Sequence, residues 1–388
     1  MWTLLVIILV CLSLYINKYK IVSLKELVNG NKTSLFLSLA TKIGVGSIIG
    51  VISSIIIGGY SSVLWMILFS LILTPVIYAE SKLGNIYKQR INNHFISGPY
   101  FIIRYGLNNK VISLISLVII LILYPLFFQM IQINTISNLL NYTLGINKSC
   151  VLIIVSCVIL LILTFDINDL LNIINKLVPI KCLLFIVVCL YGIVNHINEI
   201  HFVELFNFKS IFTGFIIGIK RSIFMNEILI GTTSISSGSS NIDNKLLTSY
   251  QIIGVYFISI VITLLITILV IIYSNSHELV NDYNLLIVRL FNYTNGNIGV
   301  YLILIILIIF ASTTILSGYY ILISNITYFI KNNYIIMLIK LVFLISLSIS
   351  SILNSSFIWK YTDILIFIMI IINTYSIIRL MGEVKYDR

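Results

Sequence analysis

Charge is what this sequence has least of. Only 10% of its 388 residues are Asp, Glu, Lys or Arg, against 59% hydrophobic. A soluble domain carries about 25% charged residues. The 24 basic and 13 acidic side chains cannot coat a water-facing surface of this size. A soluble enzyme, a fibrous protein and a disordered chain are thereby excluded. Cysteine is equally uninformative as a ligand. Cys11, Cys150, Cys157, Cys182 and Cys189 sit in or beside apolar runs, with no CxxC and no Cys/His pair at metal-ligand spacing, and are read as small buried hydrophobes. His94, His196, His201 and His277 fall in expected loops and form no cluster. HExxH, GxSxG, paired carboxylates on one span and phosphate-cradling motifs are absent, which argues against a membrane enzyme. The formal charge of +11 does not point to nucleic acid, because the basic residues cluster between apolar runs, as topology determinants do.

What is there is a series of long apolar segments: 1–17, 34–58, 61–79, 111–139, 149–165, 177–195, 210–237, 248–273, 298–326, 333–352 and 357–378. Most approach or exceed the ~20 residues that a helix needs to cross ~30 Å of hydrocarbon. They are too long for barrel strands and show no alternation, so helices are the spanning form that satisfies the backbone in lipid. The expected fold class is an all-α polytopic membrane protein with about eleven spans. The first segment lacks a basic n-region and a small-residue cleavage site, so it is expected to remain as a helix.

Lys and Arg set the orientation. Lys18, Lys20, Lys25 and Lys32 lie in the first loop, and Lys82, Lys88, Arg90, Arg104 and Lys110 in the stretch 80–110. Lys176, Lys245, Lys331 and the tail residues Arg379, Lys385 and Arg388 fall on the same side when eleven helices are threaded in order. Lys181 sits just past Lys176. The other side offers Lys148, Lys209, Arg289 and Lys360. The N-terminus is therefore expected outside and the C-terminus in the cytoplasm. Outside loops around 196–209 and 274–297 carry Glu199, Glu204, Glu278 and Asp282. Apolar residues at helical spacing in 281–293 suggest a short surface helix over the outer mouth.

Two segments differ from the rest. In 39–50, Gly44, Gly46 and Gly50 stand with Thr41, Lys42 and Ser47. Tight helix packing and a backbone break both fit this pattern. In 218–240, Lys220, Arg221, Asn226 and Glu227 interrupt an otherwise continuous span. Ionisable groups in a membrane segment usually face a partner or an aqueous cavity. These are the second and the seventh segments. An offset of five helices is what two inverted repeats, each opening with a broken helix, would require. The chain then divides into an extra N-terminal helix and inside loop (1–33), a first repeat (34–200) and a second repeat (209–380), all in one membrane domain.

At these segments the sequence resembles the alanine or glycine:cation symporter family. The run Lys42-Ile43-Gly44-Val45-Gly46-Ser47-Ile48-Ile49-Gly50-Val51 is similar to the family's Thr-x-Gly-x-Gly-Asn-Ile-x-Gly-Val. Lys42 replaces Thr and Ser47 replaces Asn. Gly58-Gly59, Trp65-Met66 and Glu80 resemble further landmarks. Gly218, Lys220, Arg221, Phe224, Asn226, Glu227 and Gly231 match the family's Gly-x-Lys-Arg-Gly-x-Phe-Ser-Asn-Glu-Ala-Gly-x-Gly-Ser-Ala-Pro. Ser222, Met225, Ile228, Leu229 and Ser234 depart from it. Ala311-Ser312-Thr313-Thr314-Ile315-Leu316 resembles Ala-Phe-Ser-Thr-Ile-Leu, and Gln132 with Asn134 resembles a Gln-x-Asn pair, where Phe128-Gln129 replaces Gly-Asn.

The resemblance implies a leucine-transporter-like five-plus-five fold in the plasma membrane. It implies symport of a small neutral amino acid, alanine or glycine, with sodium or less often a proton. The alternatives are a carrier of another small solute, a proton-coupled carrier and a non-transporting paralogue. No bound cofactor is expected; sodium is the expected co-transported ion. The substrate carboxylate is expected at the free amides of Gly44, Gly46 and Ser47, since a half-helix N-terminus favours anions. Gln132, Phe224, Asn226 and Gly231 complete the expected substrate set. Sodium is expected on the hydroxyls of Thr313 and Thr314 and carbonyls near Gly44 and Val45. Lys220, Arg221 and Glu227 are expected in gating or structure, with Glu227 paired to Lys220, Arg221 or Asn226.

Overall fold

The computed structural model describes residues 2–16, 32–91, 94–200, 208–239 and 244–385. Lys18, Lys20, Lys25, His201, Glu204 and Arg388, used above for orientation or inventory, lie outside the described residues. Each of the apolar segments is helical. Among the described residues, six helices are long and apolar enough to cross a membrane: Lys110–Leu144, Ile167–Asn195, Lys245–Ser276, Tyr283–Phe329, Asn333–Ser350 and Ser355–Arg379. Two bent pairs bring the number to as many as 8. Leu5–Ile16 and Lys148–Ile162 are shorter apolar helices. The chain is thus an all-α polytopic membrane protein. Ile153, Leu161, Leu183, Val342 and Ile345 are exposed along its outer surface, as lipid-facing side chains are. Cys11, Cys150 and Cys157 lie on that surface too. Only Cys182 and Cys189 are buried, against the expectation that all five would be.

The first bent pair is Thr33–Lys42 and Val45–Gly58, which meet at 45° across Ile43 and Gly44. A break is what the structure contains at this glycine cluster, while Gly46 and Gly50 remain helical. The second pair, Ser61–Ile72 and Thr74–Ile86, meets at 44°. Pro75 follows that bend and has no N–H for the ladder. The span opened by Phe208–Asn226 is interrupted by Glu227, Leu229 and Gly231, all at positive φ, before Thr232–Ser237 resumes. Pro125 lies within a wide turn at Leu123–Phe128 inside the long helix 110–144.

Several boundaries differ from the sequence expectation. Thr74–Ile86 carries the helix through residues assigned to the polar stretch 80–110, and it buries Glu80, Ser81, Lys82 and Asn85. Glu80 meets the second broken span and Lys82 the Val384 carbonyl, rather than water. Gly84 permits that approach: a Cβ there would lie 2.6 Å from the Ser234 carbonyl oxygen. A two-stranded hairpin, Gln89–Ile91 with His94–Ile96, and short helical turns over Pro99–Phe101 and Ile102–Gly106 occupy the rest of this connection. The helix Ile167–Asn195 starts well before residue 177 and absorbs Lys176. The helix expected over 281–293 is present, capped by Asp282, whose Oδ1 accepts from the Asn284 and Leu285 amides at 2.9 and 3.1 Å. It runs into the next span through a kink at Gly296 (φ 68°).

Phe208–Asn226 packs against Val45–Gly58 and Ser61–Ile72, so the broken elements share the centre of the bundle. Small residues let them approach, with Gly214 against Ser61 and Gly218 against the Ser62 backbone. In lipid such close packing drives helix association, because apolar burial between helices gains little over lipid contact.

Candidate functional site

At the first break the chain frees carbonyls on one side and amides on the other. The Val45 amide donates to Gln132 Oε1 at 2.7 Å. Ser47 does not face outward: its hydroxyl donates to the Gly44 carbonyl at 2.6 Å. Gly44 is held close to Gln132, where a Cβ would lie 2.7 Å from Oε1. A Cβ on Gly46 would lie 3.4 Å from the Phe224 ring. Phe224 stacks on Phe128 with centroids 5.0 Å apart, and Trp359 lies 4.9 Å away on the same ring. Gly44, Gly46, Ser47, Gln132 and Phe224 are thus brought together from three spans. The sequence reading missed Phe128 and Trp359. Phe128 was noticed only as a departure from the family pattern.

Above this cluster lies an open cavity of about 1010 Å³. Ile49, Ser53, Asn134, Arg221, Trp359 and Asp363 are among its lining residues. The Arg221 guanidinium sits 4.6 Å over the Trp359 ring, and Asp363 is its principal counter-charge. Asn134 does not point into the amide cluster. Its Nδ2 donates to the Ser350 and Leu353 carbonyls at 2.9 and 2.7 Å, pinning the connection after the tenth segment.

Asn226 and Gly231 are placed elsewhere. Asn226 Nδ2 donates to Ser70 Oγ at 2.7 Å and to the Ser222 carbonyl, and its Oδ1 accepts from Ser259. The Gly231 amide donates to Glu80 Oε1 at 3.0 Å, and the Leu229 amide donates to Glu80 Oε2 at 3.0 Å. Asn373 Nδ2 donates to the Leu229 carbonyl at 2.7 Å. Glu80 and Asn373 therefore hold the second break from two sides. Thr232 donates to Glu227 Oε2 at 2.5 Å. The charge acting on Glu227 is Lys42, not Lys220 or Arg221, because the positive φ at Glu227 turns it toward the first broken span. Lys42 Nζ donates to Ser38 Oγ at 2.9 Å and to Thr233 Oγ1 and Gln251 Oε1 at 3.4 Å, which ties the two broken spans together.

Around the expected cation position, Thr314 Oγ1 donates to the Ala40 carbonyl at 3.0 Å. Thr313 Oγ1 and the Ile43 carbonyl each accept from Lys181 Nζ at 2.7 Å. Lys181 is fully buried, although the sequence groups it with the loop lysines.

The sodium:alanine symporter family model matches residues 5–387. This chain belongs to that family. Among characterised or named relatives, the amino-acid carrier protein AlsT of Bacillus subtilis is 25% identical over 96% of this chain and 83% of the relative. The probable sodium/glutamine symporter GlnT of Bacillus subtilis is 22% identical, covering 88% of this chain and 74% of the relative. The putative sodium/proton-dependent alanine carrier protein YrbD of Bacillus subtilis is 24% identical, covering 89% and 78%. The family is one of membrane transporters and not of enzymes, and this member is divergent within it.

Proposed function

We propose that this chain is a secondary carrier that moves a small neutral amino acid, alanine or glycine, across the plasma membrane by alternating access. The observation that carries this reading is the convergence of the Val45 and Gly46 amides with Gln132 and Phe224 under an open cavity, the Ser47 amide being bound to the Gly44 carbonyl at 3.2 Å. A half-helix N-terminus offers N–H groups and a favourable dipole to an anion. The substrate carboxylate takes the Val45 N–H in place of the Gln132 carboxamide oxygen, and the released carboxamide turns to the bound amino acid. Phe224, Phe128 and Gly46 leave room for a small side chain only. Trp359, tilted against Phe224 and held by Arg221, acts as a lid between the cavity and the pocket.

On this reading the chain spans the membrane eleven times, N-terminus outside, with residues 34–200 and 209–380 as inverted five-helix repeats. Lys42, Glu227, Thr232 and Glu80 form the inner closure that must open on release. A gradient supplies the work, and the family's name points to a cation.

Uptake of labelled alanine and glycine into proteoliposomes tests the function, with sodium and proton gradients imposed separately. Saturable uptake, competed by unlabelled small neutral amino acids, is expected. Uptake no greater than in protein-free liposomes under every gradient would overturn the reading.

A further inference from the structure

The helix Ile167–Asn195 passes behind the first break and delivers a lysine to it. Lys181 Nζ donates at 2.7 Å to the carbonyl of Ile43, an oxygen freed where the first half-helix stops, and at 2.7 Å to Thr313 Oγ1. The Phe310 ring centroid lies 5.0 Å from the ammonium, on a third side. The Thr313 hydroxyl itself donates to the carbonyls of Ile309 and Phe310, at 3.1 and 3.0 Å. The neighbouring Thr314 is bound to the Ala40 carbonyl. No carboxylate among the described residues pairs with Lys181. Its surroundings are a main-chain carbonyl, a hydroxyl and a π face, the neutral set that suits a monovalent cation.

We propose that the Lys181 ammonium is the resident cation of this carrier: it bridges the first break to the Ala311–Leu316 segment in place of a sodium ion, and uptake requires no sodium. An ammonium has the charge of sodium and satisfies the same oxygens through N–H donors. It is tethered by its own helix and cannot leave with substrate. A sodium ion on these oxygens would lie within hydrogen-bonding distance of a positive charge that no carboxylate offsets. Thr313 and Thr314 therefore serve as acceptor and helix tie, and the residues present do not fit a sodium ion while Lys181 is in place. A lysine that is only a structural staple predicts none of the sodium responses below.

The experiment has a binding arm and an uptake arm, and only the second rests on the transport reading. The melting temperature of the purified full chain in detergent is measured in sodium chloride and in choline chloride. The wild type is expected to melt equally in both. Lys181→Ala frees the Ile43 carbonyl and the Thr313 hydroxyl, and sodium is expected to raise its melting temperature by at least about 2 °C over choline. Lys181→Gln, which keeps a polar group of similar reach, serves where the alanine variant does not fold. In proteoliposomes, wild-type alanine uptake should stay within about two-fold when choline replaces sodium on both sides, and the variant's should fall without sodium. Sodium stabilisation of the wild type, no sodium response in a folded variant, or wild-type uptake lost in choline would each overturn the proposal. Absence of uptake in every salt would strike the transport reading alone, and the melting arm would still decide the cation. If neither variant folds, the wild-type responses decide it.

Discussion

Gln132 and Gly44 show how narrowly the first break is specified. The Val45 amide is buried and must have an acceptor, and the Gln132 carboxamide supplies it at 2.7 Å. The proposed substrate carboxylate uses the same N–H, so a residue charged like the substrate at this place should expel it. Gln132→Glu is expected to raise the substrate concentration for half-maximal uptake at least ~10-fold, since like-charge juxtaposition costs several kcal/mol. Uptake against alanine concentration, normalised to folded protein, checks this; an unchanged midpoint would place the carboxylate elsewhere. Gly44→Ala puts a methyl where Gln132 Oε1 lies, 2.7 Å from the new Cβ. Displacing a flexible carboxamide and losing its bond should cost about 1–3 kcal/mol. In a double-mutant cycle on melting temperature, Gln132→Ala should recover part of that loss; additive losses would show that the clash is with something else.

At the scale of elements, the breaks were legible in the sequence and the devices that hold them were not. Three glycines within 39–50 and charges within 218–227 marked two spans as unlike the rest, although the glycines fitted tight helix packing as well as a break. Leu229 stands where the resembled family has Gly, yet it holds φ 59° and is fully buried. Left-handed backbone costs a non-glycine residue about 1–2 kcal/mol, and the bonds of the Leu229 amide to Glu80 and of its carbonyl to Asn373 hold it there. Glu80 stood out only as a family landmark at the edge of a polar stretch, because its partners lie far away in the chain at Leu229 and Gly231. Lys181 was hidden for a different reason. Lys/Arg counting assigns a side but no depth, and a lysine five residues after Lys176 looks like part of the same loop margin. The Thr74-Pro75 bend was signalled by its proline and passed over.

Glu80 gives this scale its own test. Its carboxylate accepts two buried amides of the second break, at 3.0 Å each. Glu80→Ala leaves both without their acceptor, at about 1–3 kcal/mol apiece. A clear fall in melting temperature and in the yield of monodisperse protein is expected. Glu80→Gln keeps one acceptor oxygen and should fall less. Equal melting of the two variants and the wild type would mean that the break is held without Glu80.

For the whole molecule, the sidedness read from Lys and Arg has a spatial counterpart. Lys148, Asn281, Asp282 and Lys360 come from three connections that the charge pattern assigns to the outside, far apart in the chain, and they line one cavity mouth. Tyr142, near the C-terminal end of its helix, donates to Asp282 Oδ2 at 2.6 Å across that mouth. In the inner group, Lys82 Nζ donates to the Val384 carbonyl at 2.9 Å, which brings the tail against the helix preceding the hairpin. Loops assigned by charge to one side thus meet one another. Losing or adding one span in mid-chain would put Asn281 on the same side as Lys88. In a background free of the five cysteines, a membrane-impermeant maleimide should label Asn281→Cys on intact cells and Lys88→Cys only after permeabilisation. Labelling of both from the same side would remove the eleven-span threading and with it the five-helix offset between the breaks. The contacts at Gln132, Glu80 and Lys181 would stand unchanged, since they depend on which spans touch and not on which end of the bundle faces the cytoplasm.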